Sequence, residues 1–389
     1  MEFFDPQCIT YSQMNLIFNA RYYYRRLTTW TTAYLMSRYY GIGTTEALFE
    51  RLYQESIDLG DMLHIIFGRQ HSEKYSQLLS QYAIIFHELI SAQLEGDIEG
   101  VNRNVERLCQ NVYERAAFLE FINPYWSAAE YQDIFDAYLR NILETANAVA
   151  AGDFNKNIEL YDLLNEHTNR MGDTFAKGIY SYLTTGGSML DQDTLTTGRQ
   201  VPCITYEQME DIYTIRMFWF ELVTWIRNYM ISIYTGVGNP EETFDRLKQV
   251  PVEYIIAMKN FFPNIDVENY LQLFNEYLTL ISGFITAMME NNTEELNRIT
   301  RSLYENADKR AAFAASVNPF WSEEQWRDIL YINLRSTIEE SSSFLSGDYE
   351  KSINIFTRLL DQAETSSTFL AQGLFEYITK NQPINTGRD

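Results

Sequence analysis

Apolar residues recur at steps of three and four along most of the chain. Phe154, Ile158, Tyr161, Leu164, Met171, Phe175, Ile179 and Tyr182, with Thr168 among them, trace one continuous face. That period predicts amphipathic helices, and the alternation of a half-buried strand is absent. The chain therefore reads as all-α. Breaks at Gly41-Ile42-Gly43, Gly96-Asp97, Asn123-Pro124 and Gly152-Asp153 divide the first half into several helices, with Thr44 and Ser127 placed as N-caps. Long helices are expected over residues 11 to 40 and 206 to 235.

The pattern returns at a constant offset of 195 residues. Cys8-Ile-Thr-Tyr with Gln13-Met14 recurs as Cys203-Ile-Thr-Tyr with Gln208-Met209, and Gly41 and Gly43 recur as Gly236 and Gly238. Arg115-Ala-Ala-Phe118 and Asn123-Pro-Tyr-Trp-Ser127 recur as Arg310-Ala-Ala-Phe313 and Asn318-Pro-Phe-Trp-Ser322. Self-similarity on this scale predicts two tandem helical bundles related by internal duplication. The expected boundaries are a first bundle over 1 to 184, a linker over 185 to 202, a second bundle over 203 to 380 and a tail over 381 to 389. In the Asn-Pro-aromatic-Trp-Ser element the proline ends one helix, the serine caps the next, and the tryptophan is expected to plug the corner.

Composition adds limits. Of 389 residues, 46% are hydrophobic and 21% charged, which suits folded globular domains. A net charge of −23 opposes binding to nucleic acid or anionic lipid. Three cysteines, Cys8, Cys109 and Cys203, form no CxxC pair and no even framework, so free thiols in a reducing compartment are expected. The start, MEFFDPQCITY, lacks the pattern of a secretory signal. The aromatic segment from Tyr206 to Tyr234 is interrupted by Glu210, Asp211, Arg216, Glu221 and Arg227, so no transmembrane span is expected.

No nucleotide loop, GxSxG elbow, HExxH or zinc-spaced cysteine set occurs, so the chain reads as non-enzymatic with no cofactor expected. The alternative is a divalent metal in the first half only, held by Asp58, His87, Glu144, Asp162, His167 and Asp173. Carboxylates and histidines projecting from facing helices are the donor set of ferritin-like or oxidase-like bundles. In the second half Asp58, His87, Asp162, His167 and Asp173 become Glu253, Ser282, Thr357, Gln362 and Thr368, so any specific ligand is expected in the first. Arg115 and Arg310, Asn111 and Asn306, and Arg140-Glu144 and Arg335-Glu339 are kept in both halves, which assigns them to the shared fold. Arg140 and Glu144 are spaced for an ion pair along one helix.

RLYQESIDLG at 51 to 60, FLEFINPYWS at 118 to 127 and YDLLNEHTNRMGDTFAKGI at 161 to 179 resemble a poorly characterised family of helical proteins in Gram-positive spore-forming bacteria. The resemblance covers most of each half and implies a helical bundle in a cytoplasmic or spore-associated protein. Family members carry a histidine in the first long helix before a Trp-Thr-Arg. Leu27 and Leu222 occupy that place here, a departure from any metal site of the family.

Three functions follow as expectations. The first is a structural or interaction protein that self-associates, or binds a protein partner, through its aromatic-rich helices, because aromatics on several faces call for several neighbours. The second is the metal-binding bundle. The third is a small-molecule-binding sensor with an apolar pocket inside one bundle.

Overall fold

The computed structural model describes residues 8–185 and 202–381. Among them the chain forms twelve long helices, one four-residue helical turn and a pair of two-residue strands. The first half runs α1 Tyr11–Tyr40, α2 Thr45–Asp61, the turn α3 His64–Phe67, α4 Arg69–Glu95, α5 Ile98–Ile122, α6 Ala128–Ala151 and α7 Phe154–Thr185. The second runs α8 Tyr206–Thr235, α9 Pro240–Phe261, α10 Val267–Met289, α11 Thr293–Val317, α12 Glu323–Leu345 and α13 Tyr349–Asn381. Both expected long helices are present, as α1 and α8.

The chain divides into two compact units, and residues 8–11 group with the second. There β1, Ile9–Thr10, pairs antiparallel with β2, Cys203–Ile204, in the register Ile9 with Ile204 and Thr10 with Cys203. Two residues are too few for strand alternation to show in a sequence. Cys8 and Cys203 form a disulfide with their Cα atoms 5.0 Å apart, which corrects the expectation of free thiols at both positions. Cys109 is free. Two cysteines 195 residues apart give no local sign that a strand pair brings them together, and with the disulfide the thiol argument for a reducing compartment lapses.

Helix ends follow local chemistry. Gly96 and Gly152 end α4 and α6 with φ of 72° at each, a left-handed conformation that glycine adopts without steric cost. Ser127 caps α6 by accepting from the Glu130 N–H at 3.4 Å, and Ser322 caps α12 by accepting from the Gln325 N–H at 3.3 Å. Thr44 precedes α2 in an extended conformation but makes no side-chain cap bond.

In unit 1, α1 is surrounded. Its Arg26 reaches Glu55 on α2, Tyr34 reaches His87 on α4, Thr28 meets Tyr138 on α6, and Arg21 meets Asp173 on α7. The aromatics on several faces of α1 thus have several neighbours inside their own unit. In unit 2, α8 packs chiefly against α9 and α13, with α10, α11 and α12 continuing the bundle. The large aromatics of α8, Phe218, Trp219, Phe220 and Trp225, are buried and offer no exposed surface.

The corner element repeats in detail. Trp126 and Trp321 are 2% and 3% exposed, and their Nε1–H groups donate to Phe175 O at 3.2 Å and Leu370 O at 3.1 Å. Gly178 and Gly373 lie directly beneath the two indoles, where any Cβ would collide with the ring. Asn123 and Asn318 fix the turn by accepting from the backbone N–H two residues later, at 3.0 Å in both units. The pair expected between Arg140 and Glu144 gives way to pairs between helices. Glu144 meets Lys156 at 3.9 Å, and Glu339 meets Lys351 at 3.4 Å and Arg358 at 2.6 Å.

Candidate functional site

Arg310 stands on the inner face of α11, where burial leaves it 5% exposed. Its Nε–H donates to Asn306 Oδ1 at 2.8 Å, and the other end of that amide donates to Leu273 O on α10 at 2.9 Å and to Glu276 Oε2 at 3.0 Å. Asn306 therefore ties α11 to α10 and sets the direction of the guanidinium at once. The rings of Tyr277 and Phe274 lie 4.2 and 5.2 Å from the guanidinium carbon, close enough for cation–π attraction. Burial pushes the Arg310 pKa down, opposed by Tyr277, Tyr270 and Glu276. An arginine stays charged even so, and the site holds a dehydrated cation.

Its Nη1 has no hydrogen-bond partner. Arg310 lines a cavity of about 30 Å³ in unit 2, with aromatic walls from Phe218, Tyr254, Phe274, Trp321 and Trp326. Two more of the lining residues carry a polar atom without a partner, the Tyr270 hydroxyl on α10 and Trp219 Nε1 on α8. Burial pushes the Tyr270 pKa well above its ordinary value, with Tyr254 adding and Arg310 opposing, so its proton stays on. No carboxylate or amide side chain lines the space. Ile265, Phe313, Ala314 and Val317 are the half-buried lining residues and mark its mouth.

An unpartnered buried donor costs about 1–3 kcal/mol and more when charged. No family model, curated protein or solved structure matches the chain.

The corresponding place in unit 1 is furnished differently. Arg115 uses the same Nε–H bond, to Asn111 Oδ1 at 2.8 Å, but Phe135 sits 4.4 Å from it where unit 2 has Leu330. Leu119 and Ile122 replace Ala314 and Val317. Tyr24 replaces Trp219, and the Tyr24 and Tyr75 hydroxyls meet at 3.3 Å.

The six residues proposed from sequence as metal ligands are not gathered. Asp58 on α2 pairs with Arg51 at 3.2 Å and accepts from Gln54 at 2.9 Å. His87 on α4 meets the Tyr34 hydroxyl at 2.5 Å, Glu144 on α6 meets Lys156, and Asp173 on α7 pairs with Arg21 at 2.5 Å. Asp162 and His167 are half-buried on α7, and His167 Nδ1 has no hydrogen-bond partner. Among the described residues no group of three or more histidine, cysteine, aspartate or glutamate side chains could hold a metal ion. Burial first, then neighbouring arginines, pushes the pKa of His87 and of His167 down. No helix among the described residues is long and apolar enough to cross a membrane.

Sequence reasoning expected the ligand in the first half and assigned Arg310 to the fold. The signal it passed over is the change in side-chain size between halves, Leu119 to Ala314 and Phe135 to Leu330, beside an arginine that does not change.

Proposed function

We propose that this is a non-catalytic, small-molecule-binding protein made of two copies of one helical unit, in which the second copy encloses the ligand. The observation that carries the reading is the unit 2 cavity with three unpartnered donors and aromatic walls. A close-packed core leaves little such space, and here the space borders a buried guanidinium with an unmet donor. Duplication is supported by the matched corners, caps and Arg-Asn pairs at equal spacing. Self-association stands as the weaker reading, because the α8 aromatics that motivated it are buried.

The test is thermal unfolding against a panel of small anionic, neutral and cationic compounds. It is run on the full chain and on a variant with Ala314→Leu and Leu330→Phe, the residues of unit 1. Compounds that enter the cavity raise the Tm of the parent and leave the filled variant unmoved. No ligand-dependent shift in the parent, or an equal shift in both proteins, overturns the reading.

A further inference from the structure

We infer that the unit 2 cavity is a site for a small monocarboxylate of one to three carbons, its two oxygens accepting from Arg310 Nη1, the Tyr270 hydroxyl and Trp219 Nε1. The inference rests on the small-molecule reading above and adds the chemical class. Two observations carry it. The unpartnered polar atoms of the lining residues can all donate, and none of the lining side chains is anionic. The cation among them has no carboxylate partner among the described residues, its Nε–H being spent on a neutral amide. Glu276 acts on the guanidinium through its charge and through Asn306 but makes no ion pair with it.

Water alone answers this arrangement only in part. Two waters can meet the three donors, and the Tyr270 oxygen can accept from one of them, but water leaves the charge of Arg310 without a counter-charge in the cavity. A carboxylate has about four acceptor sites, matches a guanidinium and cancels its charge in a dry site. Size restricts the anion. A space of about 30 Å³ is roughly two waters' worth, each needing about 10–15 Å³ by this measure, which suits a carboxylate group but no ring. The short alkyl end then lies toward the mouth against Ile265, Phe313, Ala314 and Val317, all apolar.

Propionate, with propanol, propionamide and sodium nitrate as controls, tests the assignment on the full chain. Propionate at a hundredfold excess over its Kd is expected to raise Tm by about 5 °C, and the neutral isosteres by nothing measurable. Arg310→Met should fold at least as stably as the parent in ligand-free buffer, since a buried unpaired charge has been replaced by an apolar side chain, and should lose the propionate shift. Trp219→Phe keeps the ring and removes the indole donor, and should weaken propionate about tenfold. A propanol or propionamide shift equal to that of propionate overturns the anion assignment and leaves the small-molecule reading standing. A nitrate shift as large as propionate's replaces the carboxylate with an inorganic anion. A propionate shift that persists in Arg310→Met places the anion elsewhere and overturns the site. No shift with any compound overturns both readings.

Discussion

Arg115 and Arg310 occupy matching places in the two units and make the same bond to the asparagine four residues earlier, yet their surroundings differ. In unit 1 the Tyr24 and Tyr75 hydroxyls satisfy one another, because a phenol both donates and accepts. In unit 2 a tryptophan stands in place of Tyr24. An indole N–H only donates; it could donate to the Tyr270 oxygen but makes no such bond, and both groups are left without a partner. Around them Ala314, Val317 and Leu330 leave room where Leu119, Ile122 and Phe135 take it up. The scaffold and the cation are held constant, and the size and hydrogen-bonding sense of a few neighbours decide whether the place is filled or hollow.

Substitutions can break that comparison at the parts both units share. Gly178→Val and Gly373→Val each force a side chain into a tryptophan at the bundle corner, and the cost is about 3 kcal/mol or more. Each is expected to abolish protection of its own unit in hydrogen exchange while the other unit keeps its slow amides. Equal loss in both units from either change would show that they do not fold as separate cores.

The next largest effect lies where the units differ in buried charge. Glu55 is fully buried between Arg26 and Arg51, whereas the matching positions of unit 2 hold Val250, Glu221 and Arg246. Glu55→Ala removes the buried carboxylate that Arg26 and Arg51 share, Arg51 keeping Asp58, and should cost about 3 kcal/mol by denaturant unfolding. Val250→Ala should cost about 1–3 kcal/mol through lost packing alone. Equal costs would contradict the charge assignment.

Filling the unit 2 cavity acts in the opposite direction. Ala314→Leu installs the residue of unit 1 and should raise stability in ligand-free buffer by about 1 kcal/mol, measured as a shift in denaturant midpoint. A loss of that size would mean that the space is not available to the new side chain.

The smallest effect concerns pH and unit 1, where all four histidines lie. His87 and His167 have folded-state pKa values below the unfolded value near 6.5, so the unfolded chain binds more protons as pH falls. Their contribution is complete above about pH 6.5 and is lost as pH drops through that value toward the folded pKa values. The double change His87→Ser with His167→Gln, which installs the residues of unit 2, should flatten the Tm profile between about pH 7.5 and 5.5. An unchanged slope would assign the pH dependence to other groups.

Much of the fold was legible because it lives in local signals. The steps of three and four, the glycine breaks and the Asn-Pro-aromatic-Trp-Ser corner each act over a few residues, and α1, α8 and the caps at Ser127 and Ser322 follow from them. What was not legible depends on residues far apart in sequence. The Cys8–Cys203 disulfide needs the strand pair to bring the cysteines together, and Asp58, His87 and Asp173 turn out to be spoken for by Arg51, Tyr34 and Arg21. The cavity was hidden for a related reason. A hollow core and a filled one share the same apolar period, and only the packing of α8 to α12 around Arg310 distinguishes them.

The central claim is that unit 2, and not unit 1, takes a small ligand against Trp219. The indole N–H resonances of the six tryptophans, followed in a ¹⁵N-labelled full chain during titration with propionate, test it most directly. The account predicts a saturable downfield shift of the Trp219 resonance, as expected when a free N–H gains an anionic acceptor, with Trp30 and Trp126 of unit 1 unmoved. A shift confined to Trp30 and Trp126, or no shift in any indole resonance, would contradict it.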